Sequence, residues 1–292
     1  MSIIRLVSGL LCLFSLYCTS SQAQMNTIVN IYDNRAPKNT PALVDWGFSV
    51  VIAYNGQKLL FDFGGRSGVL ENNAKVFGED IGQVDMAFLS HNHNDHIGGI
   101  DYVLNVNRDF KLYAPNEYYL GGDGGESDAD DRFPRGLAYR HPKTSFVAQS
   151  TQIAPGMFAI TTVSELTGKV SKYPPHDVVP EFEGMKELSL ALKNADGSYT
   201  LVSGCSHSTI EQIVAETKRA TGADVKLVVG GFHMGPYSDK QVEKMAHTLK
   251  DELGVTLVAP THCTGDDAVE VFRNIYGKNC VEFMLGSKIE FE

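Results

Sequence analysis

Two short apolar runs, Phe48-Ser-Val-Val-Ile-Ala-Tyr54 and Lys58-Leu-Leu-Phe-Asp-Phe63, flank the dipeptide Asn55-Gly56. β-Branched and aromatic residues at that density favour extended chain, and Asn-Gly favours the type I′ turn whose twist matches two paired strands, so this stretch predicts a hairpin. Val84-Asp-Met-Ala-Phe-Leu89 predicts a third strand. In the C-terminal half a different rhythm recurs three times, in which a short apolar strand runs into a histidine-bearing loop and then a helix. Tyr199-Thr-Leu-Val-Ser203 leads through Gly204-Cys205-Ser206-His207 to a helix from Ser208, with Glu211 placed to complete a capping box. Lys226-Leu-Val-Val229 leads through Gly230-Gly231-Phe232-His233 to a helix after Ser238, with Gln241 in the equivalent place. Val255-Thr-Leu-Val-Ala259 leads through Pro260-Thr261-His262-Cys263 to a helix near Asp266. Strands alternating with helices imply parallel pairing, and loops at the carboxyl ends of parallel strands converge on one edge of the sheet. His207, His233 and His262 are therefore expected on one side of the molecule.

No repeat of fixed period and no Pro/Ser linker divides the chain, so residues 24–292 are expected to form one domain. Residues 1–23 read differently: a short basic start at Arg5, an almost charge-free run from Leu6 to Cys18, and small residues at Ser21-Gln22-Ala23 before Gln24. That is the three-part pattern of a signal peptide, too short to span a bilayer comfortably, and it predicts a periplasmic or secreted protein. Tyr17 is bulky for lipid attachment at Cys18. Cleavage would leave Cys205, Cys263 and Cys280, an odd number, so a disulfide framework is not what holds the fold. The chain carries 25 Lys and Arg against 35 Asp and Glu, a formal charge of −10, which excludes broad phosphate neutralisation and argues against nucleic acid as a partner. A small-molecule substrate and no stable membrane insertion after cleavage are expected. Gly121 to Arg135, rich in Gly and Asp, and the stiffer stretch Tyr173-Pro174-Pro175-His176 read as surface loops, either of which could cover a substrate.

The segment richest in chemistry is Ser90-His91-Asn92-His93-Asn94-Asp95-His96-Ile97-Gly98-Gly99, which follows the apolar strand directly. On a continuous helix His91 and His93 would point about 200° apart, so the two can share an ion only from a turn or extended loop. Imidazole with carboxylate suits Zn²⁺, and also Fe or Mn. No Gly-x-Ser-x-Gly elbow, P-loop or dinucleotide fingerprint competes for the chemistry.

His-x-His-x-Asp-His followed by Gly-Gly, at a strand end and preceded by a hairpin ending in Asp62, resembles the metallo-β-lactamase superfamily. Its fold is α/β, a four-layer αβ/βα sandwich. Gly204-Cys-Ser-His207, Gly230-Gly-Phe-His233 and Thr261-His-Cys-Thr-Gly265 look like the subgroup named after 7,8-dihydropterin-6-methyl-4-(β-D-ribofuranosyl)-aminobenzene-5′-phosphate synthase. The resemblance implies that His91 and His93 bind one metal, with His207 completing the set, and that Asp95, His96 and His262 bind a second. It implies a propping role for Asp62. Cys205 stands where relatives place a bridging aspartate, which leaves open one zinc ion or two. His233 is a candidate for substrate binding, for a structural hydrogen bond or for ligation. Cys263 adjoins His262 and, in an extended loop, would face the other way in a structural role. His141, His176 and His247 carry no motif; His247 is expected on a helix surface, and His176 is a candidate to line a pocket.

With the leader-like residues 1–23 pointing to export, the resemblance implies a hydrolase in which a zinc-activated hydroxide attacks a small ester, lactone or phosphoester, with Asp95 and His233 as catalytic residues. A synthase-like enzyme and a non-catalytic metal- or ligand-binding protein of the same fold are the alternatives.

Overall fold

The Asn55-Gly56 turn has φ of 50° and 79° and joins β2 (Ser49–Tyr54) to β3 (Gln57–Phe61) in register, as the sequence predicts. These strands sit in a computed structural model that describes residues 25–117, 120, 141, 143–164 and 185–292. The leader-like residues 1–23, both predicted surface loops and His176 lie outside the described residues.

Among the described residues a first sheet of seven strands has the order β13-β1-β2-β3-β4-β5-β6, adding β1 (Asn26–Tyr32), β4 (Met86–Phe88), β5 (Lys111–Pro115), β6 (Thr144–Val147) and β13 (Lys288–Phe291). A second sheet, of six described strands, has the order β12-β11-β10-β9-β8-β7. Its strands are β7 (Thr151–Ala154), β8 (Met157–Ser164), β9 (Met185–Lys193), β10 (Tyr199–Ser203), β11 (Val225–Gly231) and β12 (Leu257–Thr261). The pairs β10·β11 and β11·β12 are parallel, as the repeated strand, loop and helix predict, and so are β3·β4, β4·β5 and β5·β6.

Side chains alternate along each strand, and the alternation builds the layers. Val50, Ile52, Phe61 and Phe88 face inward and meet Leu188, Leu190, Val202 and Val229 of the other sheet. Val51 and Leu60 point outward and pack with Leu70 of α1 (Ser67–Val76) and Val103 of α3 (Ile100–Val106). On the opposite outer face Leu201 and Val228 pack with Ile213 of α4 (Ile210–Thr221), Val242 of α5 (Asp239–His247) and Phe272 of α6 (Asp266–Tyr276). Helix, sheet, sheet, helix is the expected four-layer αβ/βα sandwich. Removing the fully buried Phe272 ring would cost about 3–5 kcal/mol.

One predicted cap is absent. Ser238 and Gln241 form a capping box at α5, but α4 begins at Ile210 after Thr209, which has φ 71° and makes no side-chain cap. Ser208 is engaged elsewhere, its hydroxyl hydrogen-bonding Thr162 and the buried Glu187 carboxylate. His247 closes α5 with its side chain more than half exposed and paired with Asp251, as expected of a surface residue. Among the described residues no helix is long and apolar enough to cross a membrane.

Candidate metal centre

The chain leaves β3 at Asp62 in the left-handed region, φ 59°, and the turn carries its carboxylate under the neighbouring parallel strand β4. There it accepts the Ser90 backbone N–H at 2.6 Å, the Ser90 hydroxyl at 2.7 Å and His96 Nδ1–H at 2.6 Å. Because the hydroxyl proton of Ser90 points at Asp62, its Oγ accepts from His91 Nδ1 at 2.8 Å. One buried carboxylate thereby fixes Nδ1 as the proton-bearing nitrogen of two imidazoles, directly for His96 and through Ser90 for His91, so that in the neutral form of each it is Nε2 that is available to a cation. A Cβ at residue 204 would lie 2.2 Å from Ser90 Oγ and 2.9 Å from Asp62 Oδ2, so Gly204 at the end of β10 is what admits this pair.

His93 is the extended residue before the short helix α2 (Asn94–Ile97), which supplies Asp95 and His96 one turn on. The segment is thus the turn that sharing requires: His91 Nε2 and His93 Nδ1 lie 3.0 Å apart. His207, past β10, joins them, its ring 4.9 Å from that of His91 and 4.8 Å from that of His93. In each of the groups His91/His93/His207 and Asp95/His96/His262, the donor atoms lie within 4.8 Å of one another. Asp95 Oδ2 is 3.6 Å from His96 Nε2 and 3.4 Å from His262 Nε2. His262 donates Nδ1–H to Asn34 Oδ1 at 2.7 Å, which fixes its Nε2 as the free nitrogen. The structure therefore gathers all six residues that the sequence singled out as metal ligands.

His233 follows β11 and stands against His207, ring centroids 4.3 Å apart. Cys205 Sγ lies 3.1 Å from His96 Nε2, so it faces the site from the place of the missing carboxylate. The expected direction of the Cys263 side chain is corrected. His262 has φ 49° and opens a 3₁₀ turn, so neighbouring side chains do not alternate as in extended chain, and Cys263 turns toward Cys205 and His233. His141 is structural, buried against Phe110 with Nε2 2.9 Å from its carbonyl oxygen.

Electrostatics separate the histidines. Burial, reinforced by the facing His96, holds His91 well below the ordinary imidazole value and His93 down to about 4; burial and His233 do the same to His207. These three are neutral bases, the form that binds metal. For His96 burial is outweighed by Asp62 and Asp95, which lift it to about 9. Burial also disfavours the Asp95 carboxylate, but His96 and His262 more than offset it and keep Asp95 ionised.

The donors fit a cation. His207 Nε2, His233 Nδ1 and His262 Nε2 are buried with no hydrogen-bond partner, and each unsatisfied atom costs about 1–3 kcal/mol unless something binds it. Three features escaped the sequence reading. Glu187 of β9, 2% exposed, accepts the backbone N–H groups of His207 and Ser208 at 2.9 Å each and holds that loop. Asn34 orients His262. Trp46, 58% exposed, lies with its ring 5.2 Å from His262 and walls one side of the site.

The architecture is the sandwich of the metallo-β-lactamase fold, with histidine, aspartate and cysteine groups able to hold metal where its strand ends converge. A family model described as the metallo-beta-lactamase superfamily matches residues 45–188, and the chain carries a domain of that superfamily. It is 25% identical to 7,8-dihydropterin-6-methyl-4-(beta-D-ribofuranosyl)-aminobenzene-5'-phosphate synthase of Methanocaldococcus jannaschii, over 90% of this chain and 96% of that protein. It is 28% identical to an uncharacterized protein of the same organism, over 82% of this chain and 91% of the other. Among solved structures it is similar to Tm1679, described as a metal-dependent hydrolase of the beta-lactamase superfamily, with 26% identity and a TM-score of 0.68, covering 92% of this chain and 99% of that one. Human tRNase Z, short form, shares the fold, with 13% identity and a TM-score of 0.53 over 91% of this chain and 99% of that chain.

Proposed function

We propose that this chain is an exported metal-dependent hydrolase acting on a small ester, lactone or phosphoester. The observation that supports it most is the pair of ligand groups, His91/His93/His207 and Asp95/His96/His262, meeting at His91 and His96, whose rings lie 4.2 Å apart. A bound Zn²⁺, or Mn or Fe in its place, supplies an acidified water and an electrophile for the scissile carbonyl or phosphoryl oxygen. The first group, all imidazole, holds the firmer ion in this reading. The second has Cys205 beside it where a hard bridging carboxylate would stand, and holds its ion more loosely.

Asp95, ionised at rest, reaches toward both His96 and His262; it orients the attacking water, takes the proton that the water gives up and passes that proton to the leaving group. His233 stands beside the first group to bind the substrate's leaving oxygen. Asp62 keeps two donors in the right tautomer and touches no reactant. Trp46 offers its exposed face to an apolar part of the substrate.

Metal analysis of purified protein, followed by chromogenic phosphodiester, lactone and β-lactam substrates with and without chelator, tests the proposal. Chelator-sensitive turnover of one class is expected. Metal binding with no turnover across the panel would favour a non-catalytic binding protein. A synthase-like activity is the second reading, supported by the similarity that spans 96% of the pterin-pathway relative; residues 1–23 weigh against it, because phosphorylated pathway intermediates are cytosolic. Export itself is tested by the N-terminus of protein recovered outside the cytoplasm, expected at Gln24.

A further inference from the structure

Cys205, His233 and Cys263 each lie two residues beyond the end of a strand, β10, β11 and β12 respectively, and those three strands are parallel neighbours. Equivalent positions on adjacent parallel strands bring side chains together at one edge of a sheet. Here the two sulfurs and a ring nitrogen of His233 come within 4.8 Å of one another. We propose that these residues form a thiolate-rich cation site of their own, taking a thiophilic divalent cation of the zinc or cadmium class beside the histidine and carboxylate ligands.

Three independent features support it. First, His233 and His262 both have φ 49°, a region costly for residues with a Cβ; the second of these turns is what swings Cys263 away from solvent-facing alternation and toward Cys205. Second, a Cβ at Gly231 would stand 2.7 Å from Cys263 Sγ and 2.4 Å from the Gly204 carbonyl oxygen, so the sulfur occupies space that only glycine leaves. Third, His233 Nδ1 is buried without a hydrogen-bond partner. Two sulfurs and an imidazole make a soft donor set, which selects zinc or cadmium over magnesium or manganese and leaves a fourth tetrahedral position open. Cys205 also touches His96, so a cation held here draws on the edge of the second ligand group and withdraws His233 from substrate. Cys280, the remaining free cysteine among the described residues, takes no part in the group.

The inference concerns binding and stands whether or not the chain is a hydrolase. Reduced, metal-free protein is titrated with Co²⁺ while sulfur-to-metal charge-transfer absorption is followed. A band is expected in wild type and in Cys280→Ser, at half intensity or less in Cys205→Ser and in Cys263→Ser, and absent when both are replaced. His233→Gln should need more cobalt to develop the band, by at least the ~10-fold typical of losing a supporting partner. No sulfur band in wild type, or a band that survives the double replacement, would overturn the proposal. Should the double variant not fold, X-ray absorption of cadmium-loaded wild type decides: sulfur neighbours from both cysteines are expected, and a shell of nitrogen and oxygen alone refutes the site.

Discussion

Replacing Asp62 by Asn changes one carboxylate oxygen to an amide nitrogen and removes a charge at a position with no solvent exposure. Asp62 serves three donors, the Ser90 N–H, the Ser90 hydroxyl and His96 Nδ1–H, at 2.6–2.7 Å. An asparagine cannot accept from all three. With its amide nitrogen toward His96, a donor faces a donor, and the neutral His96 that binds metal can recover only by carrying its proton on Nε2, the atom that faces the site. With the nitrogen toward Ser90, the backbone N–H loses its partner instead. A hydrogen bond to a charged group contributes about 1.5–3 kcal/mol, and 1.4 kcal/mol is tenfold in binding, so metal affinity should fall roughly 10–100-fold. Competition with a chromophoric chelator measures that fall, and the urea midpoint of metal-free protein checks that the fold survives. Unchanged affinity would refute the tautomer argument, and a loss as large as that of His91→Ala would make Asp62 a ligand rather than a prop.

Cys205→Asp should place a hard carboxylate beside His96 and raise occupancy of the Asp95/His96/His262 group, while Cys205→Ser should leave the His91/His93/His207 ion bound and weaken the groups that Cys205 adjoins; identical metal titrations for all three proteins would remove Cys205 from the site. Glu187→Gln turns one acceptor of the His207 and Ser208 N–H groups into a donor and should cost about 1–3 kcal/mol in urea unfolding, whereas an unchanged midpoint would show that the loop does not depend on this carboxylate. The pH dependence of metal-free protein follows from the histidines. His93 titrates at about 4 when folded against 6.5 when unfolded, and His91 and His207 shift the same way, so the unfolded chain binds more protons in that window and stability falls as pH drops from about 6.5 to 4. His96, lifted to about 9, adds stability below 6.5 that is lost as pH rises through 9. His93→Gln should flatten the acid arm of the urea midpoint plotted against pH; an acid arm of unchanged slope would contradict the assignment.

The ligand run was legible because its signals are local: an apolar strand, three imidazoles and a carboxylate in one turn, and glycine after it. Strand, loop and helix repeated three times was enough to place His207, His233 and His262 on one edge, since parallel pairing follows from that order. Glu187 was not legible, because in Met185-Lys-Glu-Leu it reads as an ordinary solvated acid and only the pairing of β9 with β8 and β10 buries it. The same burial explains the failed capping box, since the Ser208 hydroxyl that a local rule assigns to a helix is drawn to Glu187. Cys263 was misread because alternation presumes extended chain, and the left-handed turn at His262 breaks it. Asn34 is 228 residues from the imidazole it orients, a separation no local pattern bridges.

On the proposed function, His91 and His93, 3.0 Å apart across a turn, hold one catalytic ion between them. Zinc content after exhaustive dialysis, measured on wild type, His91→Ala and His93→Ala alongside the hydrolysis of each sample, tests it most directly. Wild type is expected to retain zinc and both variants to lose zinc and hydrolysis together; zinc content unchanged in both variants would show that these two histidines hold no ion.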